Sequence, residues 1–381
     1  MSLYNRLKCF DVKVVFIALI YSNLLPINIF FGLRPIHIIS YVLFALTIVM
    51  FLDKKEFYLY SFSFITSCIT LSIIIISLFS SLLNGINLVS NINFILNCII
   101  PILFLFILST HGSSTKSYIL IASIQKHIIQ LCFLNSMIAI ISIFIDFTPI
   151  YQYFLASESS VVTRSYNIGR YIGFFLQPFE AGLIYAIGLY LTREVKSKWY
   201  VILFIIIAGI LSRSKIFFLF LPIFLFFHLN YKWRFLIFLP IISLILGIIT
   251  LYYSDIYAYV LEPRFGEKSD FDLIVKAISR ENLYLGLGLG PLPNNDPFDS
   301  AYLQIFSFSG LIGLLAYLIL IFYIISFVVF KKRPVENITF LIFILLLCGL
   351  AGPIFFSFNL SFFVLFICFK EGLFFKGYNH Q

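Results

Sequence analysis

The sequence predicts an all-α polytopic integral membrane protein of about 12 transmembrane helices, with both termini cytoplasmic and two long external loops. Three observations predict it. Of the 381 residues, 61% are hydrophobic and only 11% are charged, and the mean hydropathy is +1.04, whereas a soluble domain carries about 25% charged residues. That share is ~232 apolar residues, close to the ~240 that twelve spans of about 20 residues require. The apolar residues also run in continuous blocks, not in the two-residue alternation of a membrane β-barrel. Finally, 48 Phe and 23 Tyr against 2 Trp describe lipid-facing helices and leave too few polar residues to line a wide aqueous channel.

The first block, 14–32, follows the basic stretch MSLYNRLKCFDVK without a small-residue cleavage site, and is read as an uncleaved first span. Further blocks lie at 36–52, 58–82, 92–110, 119–146 and 171–192. Next come 199–212 and 215–229, parted only by Ser212-Arg213-Ser214-Lys215, then 234–254 and 300–330. The last pair, 338–351 and 353–369, is interrupted by Gly349-Leu350-Ala351-Gly352-Pro353. Each interrupted pair is either a hairpin of short spans or one tilted helix with a break. Residues 1–381 are thus expected to form a single transmembrane domain.

Orientation follows from Lys and Arg. With twelve spans, most of the 26 cations fall on one side, spread over every segment there from Arg6 to Lys376. The other side holds Arg34, Arg164, Arg170, Arg213, Lys215, Arg264, Lys268, Lys276 and Arg280. Most of these lie in two long segments, 147–170 and 254–299, and loops of that length in a tight chain usually carry function. The strict alternation favours hairpins for both interrupted pairs.

The external cations run against the topological bias. An Arg at membrane depth costs at least ~2.5 kcal/mol unless it is paired or snorkels to water. One reading is interfacial snorkelling. The other is a cluster awaiting an anion, since the guanidinium fork matches a phosphate; Arg164, Arg170, Arg213, Lys215, Arg264 and Arg280 all falling on one side favours it. Among carboxylates, Asp146 is expected at a span end. Glu180 is expected inside the span after Arg170, either as a functional group or as a partner for a cation or for a backbone break at Pro178. The stretch Leu285-Gly-Leu-Gly-Leu-Gly-Pro-Leu-Pro lacks the βαβ setting of a nucleotide loop and reads as a tight re-entrant turn, with amides open to a phosphate oxygen. The 6 cysteines show no CxxC spacing, the 5 histidines avoid both long loops, and the acidic residues of 254–299 show no metal-ligand spacing. No metal, cofactor or nucleic-acid partner is expected.

The order of these features resembles the Wzy-type O-antigen polymerases, a superfamily shared with the O-antigen ligases. The resemblance rests on Arg170, Gly173, Phe175, Pro178 and Gly182 as RxxGxFxxPxxxG, and then on Leu211-Ser212-Arg213-Ser214. It continues with a longer loop closing in GxG and with Asp299-Ser300-Ala301-Tyr302 ahead of Gly310 and Gly313. It covers 147–330 by motif and the whole chain by topology. It implies an inverting, metal-independent glycosyltransferase in the bacterial inner membrane. Such an enzyme joins undecaprenyl-pyrophosphate-linked oligosaccharides at the periplasmic face, in company with a flippase and a chain-length regulator. Arg170, Arg213 and Arg264 would hold the pyrophosphate, Arg164, Lys215, Glu180 and Arg280 would bind substrate, and Asp299 would activate the acceptor hydroxyl. Where ligases usually have a His, three residues before Tyr302, this chain has Asp299. Gln177 stands where polymerases often have Glu. The rival readings are a flippase of the same lipid-linked oligosaccharide, which would favour ionisable groups at the bilayer midplane, and an O-antigen ligase.

Overall fold

The computed structural model describes residues 12–22, 24, 35, 38–42, 45, 61–86, 115–155, 159–228, 282–289, 300–352, 354 and 358–372. Every regular element among them is a helix: α1 (Val12–Ser22), α2 (Ser61–Leu83), α3 (Thr115–Ile141), α4 (Thr148–Leu155), α5 (Ser159–Asn167), α6 (Pro178–Glu194), α7 (Trp199–Leu211), α8 (Lys215–His228), α9 (Ala301–Phe330), α10 (Val335–Ile342), a π-helical turn (Phe343–Cys348), α11 (Gly349–Ala351) and α12 (Phe358–Gly372). The expected spans at 92–110 and 234–254, and most of 36–52, lie outside the described residues. Among the described residues three helical stretches, Phe64–Leu83, Leu120–Ile141 and Ala301–Phe330, are long and apolar enough to cross a bilayer. The chain divides into two compact units, one of Met1–Tyr60, Phe106–Leu221 and Leu373–Gln381, the other of Ser61–Leu105 and Pro222–Gly372.

In the first unit α3 is the central post and touches α1, α6 and α7. Helix α6 is buried on every side from 180 to 192, so it is a core helix and not a lipid-facing one. It approaches α3 closely: a Cβ on Gly188 would sit 2.5 Å from Cys132 Sγ. The helix begins at Pro178, seven residues later than the apolar block at 171. The cause is local: Gly173 has φ +64, and Gln177, forced toward extended geometry by the following proline, has φ −136 and ψ 146. The segment read as the first long loop, 147–170, is itself largely helical as α4 and α5. Between α7 and α8 the helix breaks at 212–214, where Arg213 has φ 48. Lys196 and Lys332, just past the ends of α6 and α9, have φ 50 and 51. A left-handed residue that stops a helix is usually glycine and costs ~1–2 kcal/mol otherwise. A cation there gains in turn from the negative helix end.

In the second unit α2 lies along α9, with the Phe62 ring 4.7 Å from Phe327 and 5.9 Å from Tyr323 between centroids. Helix α9 is folded at Gly310, which has φ 61 and ψ −156. Tyr302 and Tyr317, about 22 Å apart along a straight helix, bring their ring centroids to 5.5 Å. The length left to cross a bilayer is therefore 311–330, about 30 Å of helix.

A fold inside an apolar helix frees backbone groups that hydrocarbon cannot satisfy. The glycine-rich stretch supplies the partners. Leu287 N donates to Ser307 O (2.7 Å), while Leu311 N and Ile312 N donate to Leu283 O (3.0 Å) and Tyr284 O (3.2 Å). From α2, Ser80 Oγ donates to Gly286 O (2.8 Å) and Ser81 Oγ accepts from Leu289 N (2.7 Å). The re-entrant turn expected from LGLGLG is thus a clasp on α9. The amides of Gly286, Leu287 and Leu289 are bonded within it, not open to a phosphate. At its other end α9 docks on the interrupted helix: Ala301 N donates to Gly352 O (3.1 Å), Ser300 Oγ to Gly349 O (3.1 Å) and Tyr302 OH to Leu345 O in the π turn (3.2 Å). At the C-terminal end of α12, buried Lys370 and Glu371 pair with each other. Asn337 Nδ2 donates to Glu371 Oε2 (2.7 Å), and Arg333 Nε donates to Glu371 O (3.0 Å).

Candidate functional site

The residues between α5 and α6 read Ile168-Gly-Arg-Tyr-Ile-Gly-Phe-Phe-Leu-Gln177, with glycines at 169 and 173 and a proline next. Helix α5 ends in a Schellman turn: Gly169, at φ +72, donates to Tyr166 O (2.8 Å) and Arg170 N donates to Ser165 O (2.9 Å). The chain then forms an irregular arch over 168–177.

Three elements pin the arch. From α3, Asn135 Nδ2 donates to Ile172 O (3.0 Å) and its Oδ1 accepts from Phe174 N (2.7 Å). From the end of α7, Leu211 O accepts from Tyr171 N (3.0 Å). From α5, Tyr166 OH donates to Gly173 O (3.2 Å). From the α7–α8 break Arg213 reaches back, its NH1 donating to Ile168 O (3.0 Å) while the guanidinium lies 3.4 Å from the Cβ position of Gly169.

The arch and the break therefore bring four of the expected site residues into one neighbourhood of the chain. Arg164 is exposed in the last turn of α5, Arg170 is half-buried on the arch, and Arg213 and Lys215 are exposed at the break. Among the described residues no carboxylate pairs with any of the four. An array of cations on a pinned backbone, without acidic partners, suits an anion with several oxygens. Arg213 is already committed in part, since one of its amino groups holds the arch.

Glu180, expected inside the span after Arg170, lies in the first turn of α6. Its Oε2 accepts from Leu176 N (3.2 Å), and it is 6% exposed. A carboxylate at that position stabilises the helix start through the macrodipole and satisfies an orphan amide, which is the backbone-break reading of this residue. Asp299, Arg264 and Arg280 lie outside the described residues. Their neighbour Ser300 caps α9, its Oγ accepting from Tyr302 N (3.2 Å). Asp146 sits past the end of α3 and accepts from Thr148 N (2.8 Å). Hydrogen bonding to the Thr148 side chain and backbone holds its carboxyl below the ordinary value. Among the described residues no three His, Cys, Asp or Glu side chains come together as a metal ion would need.

Two residues that hold the arch were not singled out from the sequence, Asn135 and Tyr166. The Ser214 hydroxyl is buried without a hydrogen-bond partner among the described residues, 2.0 Å from the Cβ position of Gly182. Asn135 did carry a signal, being a polar residue inside an apolar block, which is costly by default. Compared with protein families, curated proteins and solved structures, the chain matches none.

Proposed function

We propose that the chain is a polysaccharide polymerase of the Wzy type, a multi-pass protein of the bacterial inner membrane that crosses it about twelve times. The observation that carries the reading is the cationic arch. Arg164, Arg170, Arg213 and Lys215 lie on 164–170 and at the α7–α8 break, two segments joined by the bonds from Tyr171 N to Leu211 O and from Arg213 to Ile168 O, without acidic partners among the described residues. The charge bias of the sequence puts that end on the periplasmic side, where a lipid-linked pyrophosphate is presented. In the reaction, the anomeric C–O bond of the growing chain to undecaprenyl pyrophosphate breaks. A new glycosidic C–O bond forms to a hydroxyl of the next lipid-linked repeat unit, with inversion. The hydroxyl proton passes to a base, the role proposed for Asp299. The arginines stabilise the charge that builds on the departing pyrophosphate.

The test is a gel of surface polysaccharide from cells lacking the gene and complemented with wild type, R170A or R213A, with lipid-linked intermediates extracted in parallel. A polymerase gives collapse of the ladder to one repeat on the acceptor in the deletion strain, and no restoration by either variant although both insert. Full-length chains accumulating on undecaprenol would instead identify a ligase. Repeat units trapped on the cytoplasmic leaflet would identify a flippase.

A further inference from the structure

Asn135 sits in α3, six residues before its end at Ile141, and is fully buried, a costly place for an amide unless every group is used. Each is used, on the arch and on Tyr185 of α6. The Phe174 N–H can only donate, so the atom facing it at 2.7 Å is the amide oxygen, and this sets the orientation of the side chain. The Nδ2 then faces Ile172 O at 3.0 Å and Tyr185 OH at 2.7 Å. One side chain thus ties the carbonyl before Gly173 and the amide after it. Gly173 itself is at φ +64 with its Cβ position 2.4 Å from Asn135 Oδ1, so no larger residue can stand between them. Arg170 lies two residues ahead of this clamp, and among the described residues its side chain has no partner of its own.

We propose that Asn135 is a positioning residue for Arg170: by clamping 172–174 it fixes the arch in the one shape that presents the guanidinium to a pyrophosphate headgroup. The proposal rests on the reading of the arch as the headgroup site. Tyr166, whose hydroxyl bonds Gly173 O at 3.2 Å, supports the same point from outside with one bond in place of two.

The experiment measures binding of undecaprenyl pyrophosphate to the full-length protein in lipid nanodiscs, for wild type, N135A, R170A and N135A/R170A, with a thermal melt of each. Replacing Asn135 removes the bonds to Ile172 O and Phe174 N and should weaken binding about tenfold. R170A should weaken it at least as much, and the double variant should be no worse than R170A, because Asn135 acts through Arg170. Losses that multiply in the double variant, or wild-type affinity in a folded N135A, would overturn the positioning role alone. Wild-type affinity in R170A would overturn the headgroup reading and this proposal with it. Should N135A fail to fold, Y166F replaces it in the same cycle, with an expected loss of about threefold and the same non-additivity.

Discussion

The glycine clasp of the second unit can be tested by adding one methyl group. In Gly310→Ala the new Cβ would stand 2.4 Å from the carbonyl carbon and oxygen of Tyr284 and 2.6 Å from Gly286 N, all of them backbone atoms. Either α9 keeps its fold or the 283–287 turn lifts off. Keeping it combines strain of ~1–3 kcal/mol at a conformation reserved for glycine with overpacking of ~1–3 kcal/mol. Lifting the turn forfeits the bonds from Leu287, Leu311 and Ile312, at about 1 kcal/mol each. Both routes converge on about 3 kcal/mol. Gly85 is the internal control: it also has positive φ, +65, but nothing lies within 4 Å of its Cβ position, so Gly85→Ala should cost only ~1–2 kcal/mol. Denaturant titration in detergent micelles measures both, and hydrogen exchange at Leu311 and Ile312 reports whether the turn has lifted. If G310A loses no more stability than G85A, the clasp is not what holds α9 folded, and the reasoning fails.

Other outcomes follow from the same geometry. Glu371→Gln removes the carboxylate that pairs with buried Lys370 and should cost about 3 kcal/mol, part of which Lys370→Met in the same chain should restore; a double variant no more stable than E371Q in the titration would refute this. The carboxyl of Asp146 is held below its ordinary value by Thr148, so its contribution is fully present above the unfolded value and is lost as pH falls through the lowered native one. Protection of the Thr148 amide against hydrogen exchange should therefore persist through mildly acidic pH and fade only below the ordinary carboxylate range. In Asp146→Ala it should be absent throughout, and equal protection in the variant would count against the bond.

Features that depend on neighbours along the chain were legible without coordinates. Apolar runs long enough for a bilayer become helices at 61–83 and 115–141 because such backbone has no other way to satisfy its polar groups. Breaks expected from local chemistry fall at 212–214 and at Gly352, whereas the fold at Gly310 lies inside 300–330, read as one span, and Pro178 starts α6 later than the apolar block at 171. The cations of 164–215 were legible as a group because charge is visible without coordinates. Packing alone sets where polar groups find partners across long sequence separations. The turn at 283–287 closes on α9 because the fold at Gly310 leaves a carbonyl and two amides that must be matched inside the protein. Glu180 is taken by the amide of Leu176 because α6 starts later than its apolar block. Asn135, an isolated amide in an apolar run, acquires its role only when α3 meets the arch at 172–174. Helix and span are properties of a segment, whereas a hydrogen-bond partner 37 or 206 residues away is a property of packing.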